Sequence, residues 1–180
     1  MNRCQWANRN NPAYVAYHDN EWGKPQHDDK KLFEFLILEC FQAGLSWETI
    51  LNKREAFREA FDGFDAVKVS QYGETKFNEL MQNSGIIRNK LKINAAINNA
   101  GVFLEIQKEY GTFSSYIWGF TNNQIILNET DQFNTTTELS DRISKDLKKR
   151  GMKFVGSTTI YSYLQAAGIV NDHELNCSFR

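Results

Sequence analysis

An all-α fold is what this chain predicts, on three observations. Apolar residues recur at three- and four-residue spacing in most segments, and convincing strand-type alternation is absent. Third, residues 32–51, LFEFLILECFQAGLSWETIL, are apolar almost all the way round a helix at their N-terminal end. A helix of that kind belongs in the middle of a domain, not on its surface. A length of 180 residues suits one domain, 1–180, with a sizeable core; no linker or repeat divides it, and seven to nine helices are expected.

Composition narrows the function. With 41% hydrophobic and 24% charged residues the chain reads as a soluble protein. It has no run of eighteen apolar residues to span a membrane and no apolar leader segment. Cysteines at 4, 40 and 177 are odd in number and far apart, which argues against a secreted disulfide framework and for a reducing, cytoplasmic setting. A net charge of −1 excludes a polycation, so any nucleic-acid contact must use a local basic patch.

In chain order, residues 1–30 combine Cys4, Trp6, Tyr14, Tyr17, His18, Trp22 and His27 with both prolines, Pro12 and Pro25. This reads as loop with one short helix near 14–21, packed on the domain and needing something besides aliphatic burial to hold it. His27, beside Asp28 and Asp29, is expected at the surface. In the apolar helix, Cys40 reads as core, whereas Glu39 breaks the pattern among Phe35, Leu36, Gln42 and Ala43. A buried carboxylate neutralises, finds donors or meets a cation. Glu39 therefore either caps or ion-pairs within the core, or faces a pocket. Gly44 interrupts the helix, and Ser46, Glu48 and Thr49 restart one carrying Trp47. Further helices are expected at 53–61, 74–83, 88–108, 113–120, 139–149 and 157–167, with Gly101 a weak point in the long one. Residues 121–137 are polar and read as an exposed excursion.

Two constellations could carry chemistry. Residues 141–153 crowd Arg142, Lys145, Lys148, Lys149, Arg150 and Lys153 against two acids, and Gly151 and Gly156 bracket a turn before a helix that Ser157 or Thr158 can cap. A helix N-terminus offers its free N–H groups to a phosphate only where no side chain blocks the approach. The segment is thus either an ordinary helical turn with a solvated basic face or a phosphate clamp. Cys4, His18, His173 and Cys177 lie at the chain ends; the last two, four apart, share one face of a helical turn. Two sulfurs and two imidazoles would close a tetrahedral zinc shell of the structural type, although the 4–18 gap fits no zinc-finger spacing.

Six segments, RCQWA at 3–7, YVAYHDNEWG at 14–23, LECFQAGLSW at 38–47, NSGIIRNKLKI at 83–93, KKRGMKFVGST at 148–158 and GIVNDHELNC at 168–177, together resemble the 3-methyladenine DNA glycosylase I family. The resemblance implies a helix-hairpin-helix DNA glycosylase fold, with the hairpin at about 139–167, and hydrolytic removal of 3-methyladenine from double-stranded alkylated DNA by a monomer. It implies a structural zinc joining the termini through Cys4, His18, His173 and Cys177. Tyr17 and Trp47 are then candidates for stacking on the flipped, cationic base, Trp6, Tyr14 and Trp22 for the wall, and Glu39 for the catalytic-site carboxylate that accepts hydrogen bonds from the adenine edge. Trp22 and Trp118 can equally be core. Gly44, Leu45, Lys148, Lys149, Gly151, Lys153 and Gly156 are the expected DNA contacts. Lyase-type relatives carry a lysine after the hairpin; Ser157 and Thr158 stand there, which implies a monofunctional enzyme. Asp172, beside His173, receives no role. A non-catalytic DNA-binding module and a zinc hydrolase are the competing readings.

Overall fold

The structure is a computed structural model describing residues 1–130, 132 and 134–180; positions 131 and 133 of the excursion lie outside the described residues. Its centre is α2 (Asp29–Gln42), started by the Asp28 side chain accepting from the backbone N–H of Lys31. Residues 32–41 of α2 are buried without exception, as an all-round apolar helix requires. Around it lie α3 (Trp47–Asn52), α7 (Lys90–Tyr110), α8 (Phe113–Gly119) and α10 (Ser157–Ala166).

The remaining helices are α1 (Pro12–Asn20), α4 (Arg54–Ala60), α5 (Ala66–Ser70), α6 (Glu74–Gln82) and α9 (Glu138–Lys149). Ten α-helices among the described residues exceed the expected seven to nine because α5, five residues capped by Asp65, is too short to show a period. Gly101 does not break α7: a Cβ built there meets nothing within 4 Å, so the glycine lies on an open face and the ladder runs on. One departure from an all-helical chain is a parallel pairing of β1 (Ile126–Leu127) with β2 (Val170–Asn171). Two residues are too few for alternation to be visible. The pairing fastens the largely exposed excursion to the C-terminal segment.

Apolar burial falls into two clusters. The larger runs from α2 through α7 to α10. The smaller holds Cys4, Tyr17, Trp22, Leu51 and Cys177, with Trp6, Tyr14, Trp47 and Phe179 packed against it. Most of the wall of an aromatic-lined cavity, and a Cys/His cluster, belong to this smaller one.

Candidate active site and metal centre

The second half of α2 carries Glu39 into a cavity of about 200 Å³. A cavity of about 150 Å³ takes benzene, so this one suits a ligand the size of a heterocyclic base. Trp6, Tyr14, Tyr17 and Trp22 wall it from the N-terminal segment, and Trp47 from α3. Every aromatic residue assigned to the pocket from the sequence is therefore brought to it. Gln42, Ser162 and Gln165 also line it and were not foreseen. Ser162 and Gln165 are three apart on α10, but a serine and a glutamine on an ordinary helix carry no signal of their own.

Of the two acids in the apolar run, only one is paired among the described residues. Glu34 accepts from Arg54 at 2.6 Å and Arg58 at 2.7 Å. Glu39, 4% exposed, has no hydrogen bond or ion pair among the described residues, and burial pushes its carboxyl up to about 8. The core ion pair expected as one alternative for Glu39 is thus made by Glu34, one helical turn and a half away, while Glu39 faces the cavity. Tyr17 and Trp47 pack at 5.1 Å between ring centroids with planes 45° apart. They touch, so a flat ligand meets a corner made by two rings; a slot between them would need about 7 Å, two stacking contacts of ~3.5 Å. Burial raises the Tyr17 phenol well above its ordinary value, keeping it a hydroxyl.

The mouth of the cavity is shaped by the end of α2. Lys92, itself buried, donates to the carbonyls of Phe41 at 2.7 Å and Ala43 at 2.6 Å, filling orphan acceptors at the helix C-terminus. Gly44 then turns at φ +79°, where a side chain would be strained, and Leu45 stands 38% exposed. Gln42 ties the turn down, donating to the Leu45 carbonyl at 2.7 Å.

Behind the aromatic wall, Cys4, His18, His173 and Cys177 are all buried and their ligand atoms lie within 4.8 Å of one another. Cys4 Sγ to His173 Nδ1 is 3.3 Å, Cys177 Sγ to the same nitrogen 3.4 Å, and Cys177 Sγ to His18 Nε2 3.6 Å. Bonds of about 2.3 Å to sulfur and 2.0 Å to nitrogen in a tetrahedron place sulfur and nitrogen about 3.5 Å apart. The outer partners suit ligation as well. His18 Nδ1 lies 2.7 Å from Asp19, which Arg3 holds, and His173 Nε2 lies 3.1 Å from the Trp22 carbonyl, so each ring is oriented with its other nitrogen toward the centre. Burial above all pushes the Cys4 thiol up to about 12, with Cys177 adding to it; a cation between them would reverse that. The cluster can hold a metal ion.

In the hairpin, α9 and α10 pack side by side across the turn that contains Gly151 and Gly156. Asn99, buried in α7, clamps the turn through the Lys153 backbone, accepting from its N–H at 2.8 Å and donating to its carbonyl at 2.8 Å. Ser157 and Thr158 do not cap α10. Gly156 is the N-cap and makes no side-chain bond, while Ser157 Oγ turns to Ser140 Oγ at 2.7 Å. The α10 N-terminus is consequently open, and a Cβ at Gly156 would meet nothing within 4 Å. Lys148, Lys149 and Lys153 are exposed and in no ion pair among the described residues, whereas Arg150 is drawn away to Glu109 and Asp146.

The other assignments fall as follows. His27 is exposed and stacks on the buried Trp118, which is core. Cys40 is buried in α2 near Asn99. Asp172 accepts from Tyr161 and from Gln165, away from the cavity lining.

Residues 6–180 match the model of the methyladenine glycosylase family. DNA-3-methyladenine glycosylase 1 of Escherichia coli (strain K12) is 48% identical over 180 residues, covering 98% of this chain and 96% of that one. Among solved structures, a 3-methyladenine DNA glycosylase I superposes with a TM-score of 0.94 at 45% identity, covering 98% of each chain. Another, solved for 3-methyladenine recognition by the Staphylococcus aureus enzyme, gives 0.94 at 38% identity, covering 99% of this chain and 96% of that one. On the family match, these identities and the shared fold, the chain belongs to the methyladenine glycosylases.

Proposed function

We propose that residues 1–180 form one DNA glycosylase domain, acting as a monomer in the cytoplasm, that hydrolyses the N-glycosidic bond of 3-methyladenine in alkylated double-stranded DNA. The free base is released and an abasic site remains. The observation that carries this reading is Glu39: a buried, unpaired acid facing an aromatic cavity of one-base size. While attached to its sugar, 3-methyladenine is a cation, and a cation is drawn both to ring faces and to a carboxylate. A flipped base would bring Glu39 the counter-charge it lacks and ionise it, and the carboxylate would then accept from the adenine edge. Tyr17 and Trp47 supply the stacking corner, with Trp6, Tyr14 and Trp22 behind.

Chemistry asks little more of the protein. A cationic base leaves as a neutral molecule, taking the C1′–N9 electron pair, so no strong acid need protonate it. Water adds to the oxocarbenium-like C1′ and gives up its proton to solvent. Glu39, made anionic by the arriving base, also stabilises the positive charge as it passes to the sugar. No lysine lines the cavity among the described residues, which supports hydrolysis without a Schiff base. Gly44 and Leu45 would fill the space vacated in the duplex. Lys148, Lys149 and Lys153, with the open backbone at Gly151 and Gly156, would hold the phosphates.

Zinc fits the two-cysteine, two-histidine centre, where it would tie the termini together. Four protein donors fill a tetrahedron and leave no position for an attacking water, which disfavours a metal-hydrolase role. The test is release of free 3-methyladenine from a methylated duplex. Wild type should release it, and Glu39→Gln should lose most of that activity while keeping its affinity for undamaged duplex. Equal losses in both would refute the pocket assignment.

A further inference from the structure

Gln165 lies on α10 next to Ser162 in the cavity wall, 7% exposed, yet neither base chemistry nor helix packing accounts for its orientation. The orientation is set from behind. Its Nε2 donates to Asp172 Oδ2 at 2.6 Å, and the Tyr161 hydroxyl donates to the same oxygen. A carboxylate accepts and does not donate, so it must face the amide's NH2 end. The amide cannot flip without setting two oxygens against each other. Its side-chain carbonyl oxygen is left as the free end, with no hydrogen bond among the described residues, on a residue that lines the cavity.

We propose that Gln165 is a second specificity-determining residue of the base cavity, its carbonyl locked by Asp172 as an acceptor for a purine amino group. The inference rests on the cavity being the base site. Glu39 on α2 and Gln165 on the neighbouring α10 then line one cavity with two acceptors. An adenine-type base offers an exocyclic amine with two N–H donors on that edge. A guanine-type base puts a carbonyl in the same place, opposite an oxygen that cannot be exchanged for a donor. Asp172 and Tyr161 are positioning residues: they touch no ligand and act through the amide.

Binding of free 3-methyladenine and free 3-methylguanine, followed by tryptophan fluorescence, tests this without relying on turnover. Gln165→Met should weaken 3-methyladenine binding about tenfold, the effect of one neutral hydrogen bond, and leave 3-methylguanine unchanged or tighter. Asp172→Asn, whose amide can face Gln165 either way round, should narrow the preference between the bases while 3-methyladenine still binds. Its bound zinc is measured alongside, because His173 adjoins. Equal weakening for both bases, or a lowered Tm with the preference intact, would show Gln165 to be merely structural and would overturn the inference. A wild type that binds neither base would instead bring down the cavity assignment itself, and this inference with it.

Discussion

Glu39 shows most clearly what a residue type in a pattern can and cannot reveal. A carboxylate in a run of Phe, Leu and Ile is visible as an anomaly in the sequence. That its neighbour Glu34 would take both arginines, leaving Glu39 bare, is a matter of which helix face meets α4, and no local pattern encodes it. The bare acid has a measurable consequence for stability. Unfolded, it titrates near 4.5; folded, burial raises it to about 8. Between those values the folded chain keeps a proton the unfolded chain has lost, so its contribution is fully present below the lower value and lost as pH rises through the upper. Glu39→Gln, neutral throughout, should therefore raise the Tm, and by more at pH 8.5 than at pH 5.5. Thermal melts at the two values decide it: a gain independent of pH would mean that Glu39 is not held protonated. An active site that costs stability is the expected trade. Gln165 is the opposite case, a residue whose meaning comes wholly from Asp172 behind it and which the sequence leaves silent.

Elements were legible where they were long and strongly patterned. The central helix, the long α7 and the hairpin all follow from spacing, and even their stops are marked by Gly44, Gly111 and Gly151. The five-residue α5 and the two-residue strands were not, since neither completes a period. In the hairpin the sequence misplaced the cap by one residue, and that difference matters. With Gly156 at the N-cap in ordinary backbone, φ −63°, and open space beyond it, Gly156→Ala should change stability by no more than about 0.5 kcal/mol. It should nonetheless weaken duplex binding, because the methyl stands where a phosphate would approach. Gly151, at φ +98°, should behave differently: Gly151→Ala strains the turn by about 1 kcal/mol and lowers the Tm. Paired melts and binding isotherms separate the two; a normal affinity for Gly156→Ala would remove the clamp. Lys148 and Lys149 carry the charge side of the same interface. Replacing both with Ala should flatten the slope of log affinity against log salt by about 2, from ~0.9 per phosphate contact. An unchanged slope would place the phosphates elsewhere.

At the scale of the molecule, the described residues form two hydrophobic clusters of unequal size, and the aromatic wall of the proposed base cavity belongs to the smaller one. The N-terminal segment that supplies Trp6, Tyr14, Tyr17 and Trp22 has few aliphatics to bury. It is held by Glu21 accepting from Arg54 at 2.8 Å, by Asn8 and Asn11 donating to Glu48, each at 2.8 Å, by the backbone N–H of Gly23 on the main-chain carbonyl of Gln165 at 2.9 Å, and by Cys4 and His18 meeting His173 and Cys177. Apart from the metal, those four buried groups would be two thiols and two rings sharing acceptors in a dry space. A ligand that binds only the folded state stabilises it in proportion to RT ln(1 + [L]/Kd), and here that stabilisation falls on one cluster more than on the other. Stripping the metal should therefore split the unfolding. Tryptophan fluorescence, with Trp6, Trp22 and Trp47 in or against the smaller cluster, should change first on heating, while the far-ultraviolet helical signal from α2, α7 and α10 persists to higher temperature. Base binding should vanish with the first transition and affinity for undamaged duplex with the second, because the hairpin rests on the larger cluster. Cys177→Ala should reproduce the split without a chelator. Coincident transitions in the stripped protein would mean that the larger core alone holds the N-terminal wall, and that the metal does something other than keep the pocket closed.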